Sequence, residues 1–72
     1  MTKQRIVYLH SAKFGISKAF NSLDEVINLL QNGFFVKINS EDVEKSFVKT
    51  KAENKIPNYE TKDFVITVPL NQ

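Results

Sequence analysis

Ser22-Leu23-Asp24-Glu25-Val26-Ile27-Asn28-Leu29-Leu30-Gln31-Asn32-Gly33-Phe34 decides the fold, because here the start, the buried face and the stop of a helix are all written in residues. Ser22 and Glu25 have the capping-box spacing, in which the hydroxyl accepts from the Glu25 N–H and the carboxylate reaches back. Leu23, Val26, Ile27 and Leu30 fall at i, i+3, i+4 and i+7 and make one apolar stripe. Gly33 suits the left-handed position past a helix end, which makes Leu29 and Phe34 the hydrophobic pair of a Schellman motif. A helix with one apolar stripe must bury it against another layer, so the flanking segments should supply a sheet.

Toward the N-terminus, Arg5-Ile6-Val7-Tyr8-Leu9-His10 is β-branched and aromatic, free of breakers and apolar on both faces, which predicts a central strand. Gly15 allows a tight reversal, and Ile16-Ser17-Lys18-Ala19-Phe20 resumes in extended style, so the two runs form a hairpin. Beyond the helix, Phe34-Phe35-Val36-Lys37-Ile38-Asn39 alternates Phe34, Val36 and Ile38 against Phe35, Lys37 and Asn39, the pattern of a third strand beside the first or second. Asp63-Phe64-Val65-Ile66-Thr67-Val68 alternates in the same way and meets Pro69, which cannot donate to a ladder; it is a fourth strand, ending or lying at an edge there.

Residues 40–59 admit two readings. As a helix they have Asn39 or Ser40 as cap, Glu41, Asp42 and Glu44 in the first turn, Lys49 and Lys51 in the last, and Val43, Phe47 and Val48 on one side. As a strand, residues 43–50 pair back on the third strand through an Asn-Ser-Glu-Asp turn. Ala52 to Glu60, with Asn54, Pro57 and Asn58, is a connection in either case. The expected architecture is α+β: a small, mostly antiparallel sheet of about four strands, order ββαβ(α)β, packed on one face by the capped amphipathic helix. Its other face is then a place to look for function.

Composition bounds what such a domain can do. The chain has 72 residues, 42% of them hydrophobic, with six Phe, no Cys and no Trp. That suits one globular domain over residues 1–72, whose total stability by size is about 4–11 kcal/mol. The absence of Cys excludes disulfides, thiolate nucleophiles and Cys-containing zinc sites. With no leader-like apolar run and no stretch near the ~20 apolar residues of a membrane span, the expected setting is cytoplasmic, away from membranes.

Catalysis is not expected. One His and eight carboxylates stand in no catalytic or metal-ligating spacing, and two Gly cannot build a phosphate loop. His10, the one side chain that ordinarily titrates near neutrality, reads as a strand-end His packed on Tyr8 or bonded to backbone, ahead of a catalytic or pH-sensing role. Asp24 with Glu25, and Glu41 with Asp42, occupy helix first turns, where acids answer the helix dipole. No metal and no cofactor is expected.

Charge points further. Residues 1–23 hold Lys3, Arg5, Lys13 and Lys18 and no acid, a charge of +4, whereas residues 24–72 hold six bases and eight acids, a charge of −2. A basic hairpin that also carries Tyr8, Phe14 and Phe20 suits phosphate tracking by lysines and base stacking on aromatic rings. The candidate nucleic-acid-binding residues are therefore Lys3, Arg5, Lys13, Phe14 and Lys18, against the plainer reading that Phe14 folds onto the core and the lysines form a solvated rim. Nine Lys to one Arg disfavours specific duplex reading, which is mostly Arg work. The alternative is a protein–protein module or inhibitor that accepts a partner strand at an edge, either Ile16 to Phe20 or the terminal strand, or that docks through the open sheet face. Such a chain also gains core by pairing with a second copy, and its size and Lys-, Asn-, Ile- and Phe-rich composition suit phage or mobile-element factors that bind a host protein.

Overall fold

The computed structural model describes residues 6–69. Two strands, β1 (Val7–Ser11) and β2 (Ile16–Phe20), are followed by two helices, α1 (Leu23–Gly33) and α2 (Ser40–Ala52), and by two short strands, β3 (Asn58–Glu60) and β4 (Val65–Thr67). The strands form one antiparallel sheet in the order β2-β1-β4-β3, an α+β arrangement with β1 and β4 in its interior.

Helix α1 starts where the capping residues place it. The Ser22 hydroxyl accepts from the Glu25 N–H at 3.3 Å, and the Glu25 carboxylate accepts from the Asn21 N–H at 2.9 Å, one residue earlier than in the standard box. Val26, Ile27 and Leu30 are buried on its inner face, and Leu23 packs at the margin of the core. The stop differs from the expected one. Gly33 remains helical, Phe34 caps the helix, and the left-handed residue is Phe35 at φ 56°, after which the Val36 N–H returns to the Leu30 carbonyl at 3.0 Å.

Residues 40–52 take the helical alternative. Asn39 caps α2 by accepting from the Glu41 N–H at 2.9 Å, and Val43 and Phe47 are buried. Its far end is the Schellman motif that the sequence places after α1: Asn54 is left-handed at φ 60°, its N–H bonds the Lys51 carbonyl, and the Lys55 N–H bonds the Thr50 carbonyl.

The expected third strand, residues 34–39, has no ladder partner among the described residues, and the third strand is instead Asn58–Glu60, within the segment read as a connection. The cause is tertiary. Helix α2 delivers the chain beside β4, and the Thr50 hydroxyl accepts the Asn58 N–H at 3.1 Å while the Val68 N–H bonds the Pro57 carbonyl at 2.9 Å, so a polar tripeptide is held in register. The order is accordingly ββααββ.

The core lies between the helices and one face of the sheet: Val7 and Leu9 from β1, Phe64, Ile66 and Val68 in and around β4, Val26 and Leu30 from α1, Val43 and Phe47 from α2. The ladder fixes what the other face presents. Tyr8 lies level with Ala19, Thr67 and Asn58, and His10 with Ser17, Val65 and Glu60. Side chains alternate across a strand, so these eight share the face away from the helices.

Candidate functional site

Of the residues expected to contact nucleic acid, Lys3 and Arg5 lie outside the described residues. Lys13 and Phe14 sit in the four-residue turn between β1 and β2, which closes with Gly15 at φ 66° and with the Phe14 N–H on the Ser11 hydroxyl at 3.2 Å. Ser11 is almost wholly buried, so this bond fixes the turn against the sheet from beneath.

Phe14 does not stand free. Its ring stacks on Phe64 at a centroid distance of 5.4 Å and 16° between planes, and lies against Phe34 at 5.0 Å and 45°. Lys13 Nζ is 5.4 Å from the same ring and 3.6 Å from the Asp63 carboxylate. Phe14 is still 42% exposed as a residue, but its ring contacts close the turn end of the core, and the adjoining ammonium already has a counter-charge.

Lys18 lies elsewhere. It pairs across from the buried Leu9, so it belongs to the helix side of the sheet at the β2 edge, where it is exposed with Nζ 5.4 Å from the Phe20 ring. The hairpin thus separates its charges: Lys13 at the turn, Lys18 at the edge, and neither on the open face. That face holds Tyr8, 42% exposed, and His10, with polar and small neighbours and a single acid, Glu60. Its side chains make no group of three or more metal-ligating residues, nor do any others among the described residues.

No family model, curated protein or solved structure matches the chain. What the geometry offers is therefore read from the edges and surfaces themselves. The two sheet edges differ. At β3, three residues long, the Asn58 N–H is taken by Thr50 of α2. At β2, five residues long, no strand of the described residues lies on the side away from β1, and in an antiparallel ladder half of such a strand's backbone groups point outward. The terminal strand, named beside β2 as an edge in the sequence reading, is β4 and lies inside the sheet. No helix of the described residues is long and apolar enough to cross a membrane.

Two features escaped sequence reasoning. Phe35 is 87% exposed and left-handed, and Thr50 ties α2 to β3. A signal existed for the first: Phe35 shares its alternating face with Lys37 and Asn39, an aromatic among polar residues. Thr50 carried none.

Proposed function

We propose that the protein is a non-enzymatic binding module that takes an extended segment of another protein onto β2. The observation that carries this reading is the β2 edge, Ile16–Phe20, which no other strand of the described residues covers, on a sheet whose other edge is short and held by α2. Strand addition draws affinity from main-chain hydrogen bonds and selectivity from alternate side chains. Here the alternate side chains are Ile16, Lys18 and Phe20 on the helix side and Ser17 and Ala19 on the open side. Lys18, central in the strand, discourages indiscriminate edge pairing and favours a partner strand that sets a carboxylate opposite it.

Nucleic-acid binding through Lys13, Phe14 and Lys18 is the second reading, supported by the exposure of all three on one hairpin. It is the weaker of the two, because Lys13 is paired with Asp63 and the Phe14 ring is engaged with Phe64, Phe34 and Lys13. The deciding experiment has two arms. The protein is used as bait to isolate a partner, whose affinity is then measured against salt and against Ser17→Pro and Ala19→Pro variants that keep the native far-UV spectrum. Mixed-sequence oligonucleotides are titrated in parallel by fluorescence anisotropy at low and near-physiological salt. The edge reading requires affinity that is nearly flat in salt and lost with proline. Oligonucleotide binding that falls steeply with salt and disappears in Lys13→Glu/Lys18→Glu would overturn it.

A further inference from the structure

Val48 has no part in the core or in the caps of α2. The sequence sets it on one side with Val43 and Phe47, yet it stands 70% exposed while those two are buried. A β-branched residue is a mediocre helix former, so propensity does not call for valine at a solvated position either. Its neighbours along the outer face are Glu41, Lys45 and Ala52, all exposed. The positions 41, 45, 48 and 52 are spaced four, three and four apart, which is the spacing of a seam between two packed helices.

The charges beside the seam name its occupant. On one flank stand Asp42 and Lys49, on the other Glu44 and Lys51, each pair seven residues and thus about two turns apart. Three acids and three lysines balance over Ser40–Ala52, acids toward the start and lysines toward the end. The helix dipole favours that order, but it leaves Glu44 and Lys51 with no opposite charge three or four residues away along the chain. The ion pairs of the described residues lie elsewhere, Lys13 with Asp63 and Lys55 with Glu53. A second α2 laid antiparallel across the seam supplies what is missing. About a two-fold axis between positions 46 and 47, Glu44 of each copy meets Lys51 of the other, and Asp42 meets Lys49. A parallel pair instead sets acidic turn beside acidic turn and leaves Lys51 unmatched.

We infer that the outer face of α2 is a self-complementary docking surface whose occupant is a second copy of this chain, its α2 antiparallel, with Val48 and Ala52 in the seam and the Glu44–Lys51 and Asp42–Lys49 pairs along the flanks. Lys45, also in the seam, fixes the register at a cost in strength, and its stem covers Val48 of the other copy. A contact one helix long, about 20 Å, is smaller than the ~800 Å² per partner of a standard interface, so the pairing is weak and reversible. Helix α2 packs against β3, at the opposite end of the strand order from β2, so the β2 edges of both copies stay out of the contact. Nothing in the pairing depends on strand addition at β2.

Sedimentation equilibrium of the full chain between ~10 μM and ~1 mM, at low salt and at ~0.5 M salt, tests the pairing. Variants are compared once their far-UV spectra show native helix content. The expected result is a monomer–dimer equilibrium that salt weakens. Glu44→Lys and Lys51→Glu should each weaken it at least tenfold, and the double variant Glu44→Lys/Lys51→Glu should restore it, because only an antiparallel pair sets these two positions opposite each other. Val48→Leu, at an exposed position outside the core, should strengthen it at least threefold, and Ser17→Pro, in β2, should leave it unchanged. A monomer throughout the concentration range, association indifferent to salt, a double variant no better than the single ones, no gain with Val48→Leu, or association lost with Ser17→Pro would each overturn it.

Discussion

Gly33→Ala separates two accounts of how α1 ends, because they predict opposite signs. If Gly33 were the left-handed residue, as its place in the sequence suggests, a Cβ there would cost about 1–2 kcal/mol. In the structure Gly33 is the last helical residue and the left-handed position belongs to Phe35. Alanine then gains about 0.5–1 kcal/mol over glycine, as in a helix interior. The opposing term is local: an added Cβ lies 3.1 Å from Leu29 Cδ1 and 3.8 Å from its Cγ, with no backbone in the way. Leu29 is only partly buried, so its terminal methyl can give way at a cost of a few tenths of the ~0.5–1.5 kcal/mol that a fully off-rotamer side chain incurs. The net expectation is a gain of about 0.3–0.8 kcal/mol, or roughly 2–5 °C in Tm for a domain of this size. Circular dichroism at 222 nm on heating, with urea unfolding at unchanged m-value, measures it. A Tm lowered by more than ~4 °C would refute the reasoning, because the yielding Leu29 contact costs only a few tenths of a kcal/mol whereas a left-handed alanine loses about 1–2 kcal/mol.

Phe35→Gly should leave stability within about 1 kcal/mol of wild type, since relief of the left-handed aromatic offsets the small area lost, whereas Phe47→Ala, at 5% exposure, should cost about 3–5 kcal/mol; thermal melts of the pair check the contrast. Thr50→Val keeps the shape of the side chain but strands the Asn58 N–H, so it should lose about 1–3 kcal/mol, with Thr50→Ser restoring most of it; faster amide exchange at Asn58 would trace the loss to this bond. Asn54→Ala should cost about 1 kcal/mol in urea unfolding and Asn54→Gly should cost nothing, because residue 54 carries the positive φ that ends α2. Asp63→Asn should change stability by less than ~1 kcal/mol, since the pair with Lys13 is largely exposed, and the change should vanish on raising salt to 1 M.

How much of this was legible in the sequence follows from what kind of interaction each element uses. Ser22, Glu25 and the Val26-Ile27-Leu30 stripe act within one helix, and α1 starts and packs as they require. The β1–β2 hairpin is equally local, joined by four residues, and its register sets Val7 and Leu9 inward. Local reasoning fails where a distant group decides. Residues 34–39 have better strand alternation than Asn58-Tyr59-Glu60, yet the ladder goes to the latter because α2 ends beside β4 and Thr50 receives Asn58. In the same way, Phe14 is spaced as a turn aromatic free to stack on a ligand, but Phe64, fifty residues on, takes one of its faces. The basic hairpin was visible as a charge asymmetry; that Asp63 answers Lys13 was not.

The same displacement of the ladder leaves residues 34–39 without a strand neighbour among the described residues. The competition for the place beside β4 is won by three polar residues. The losing segment keeps its alternation, packs Phe34, Val36 and Ile38 on the core, and leaves Phe35 and Lys37 outward. Helix α1 separates it in sequence from β2, and each of the two stretches carries one exposed lysine and no acid. Unpaired strand edges are a hazard when they are flat and uncharged, and a central lysine is a common guard against it. A guard of one sign also selects: it repels copies of the same edge and admits a strand of opposite charge. If β2 takes a partner strand, that argument favours an acidic extended segment there, and Lys18→Glu, which should weaken such a partner at least tenfold while leaving the far-UV spectrum unchanged, is the variant that tests it.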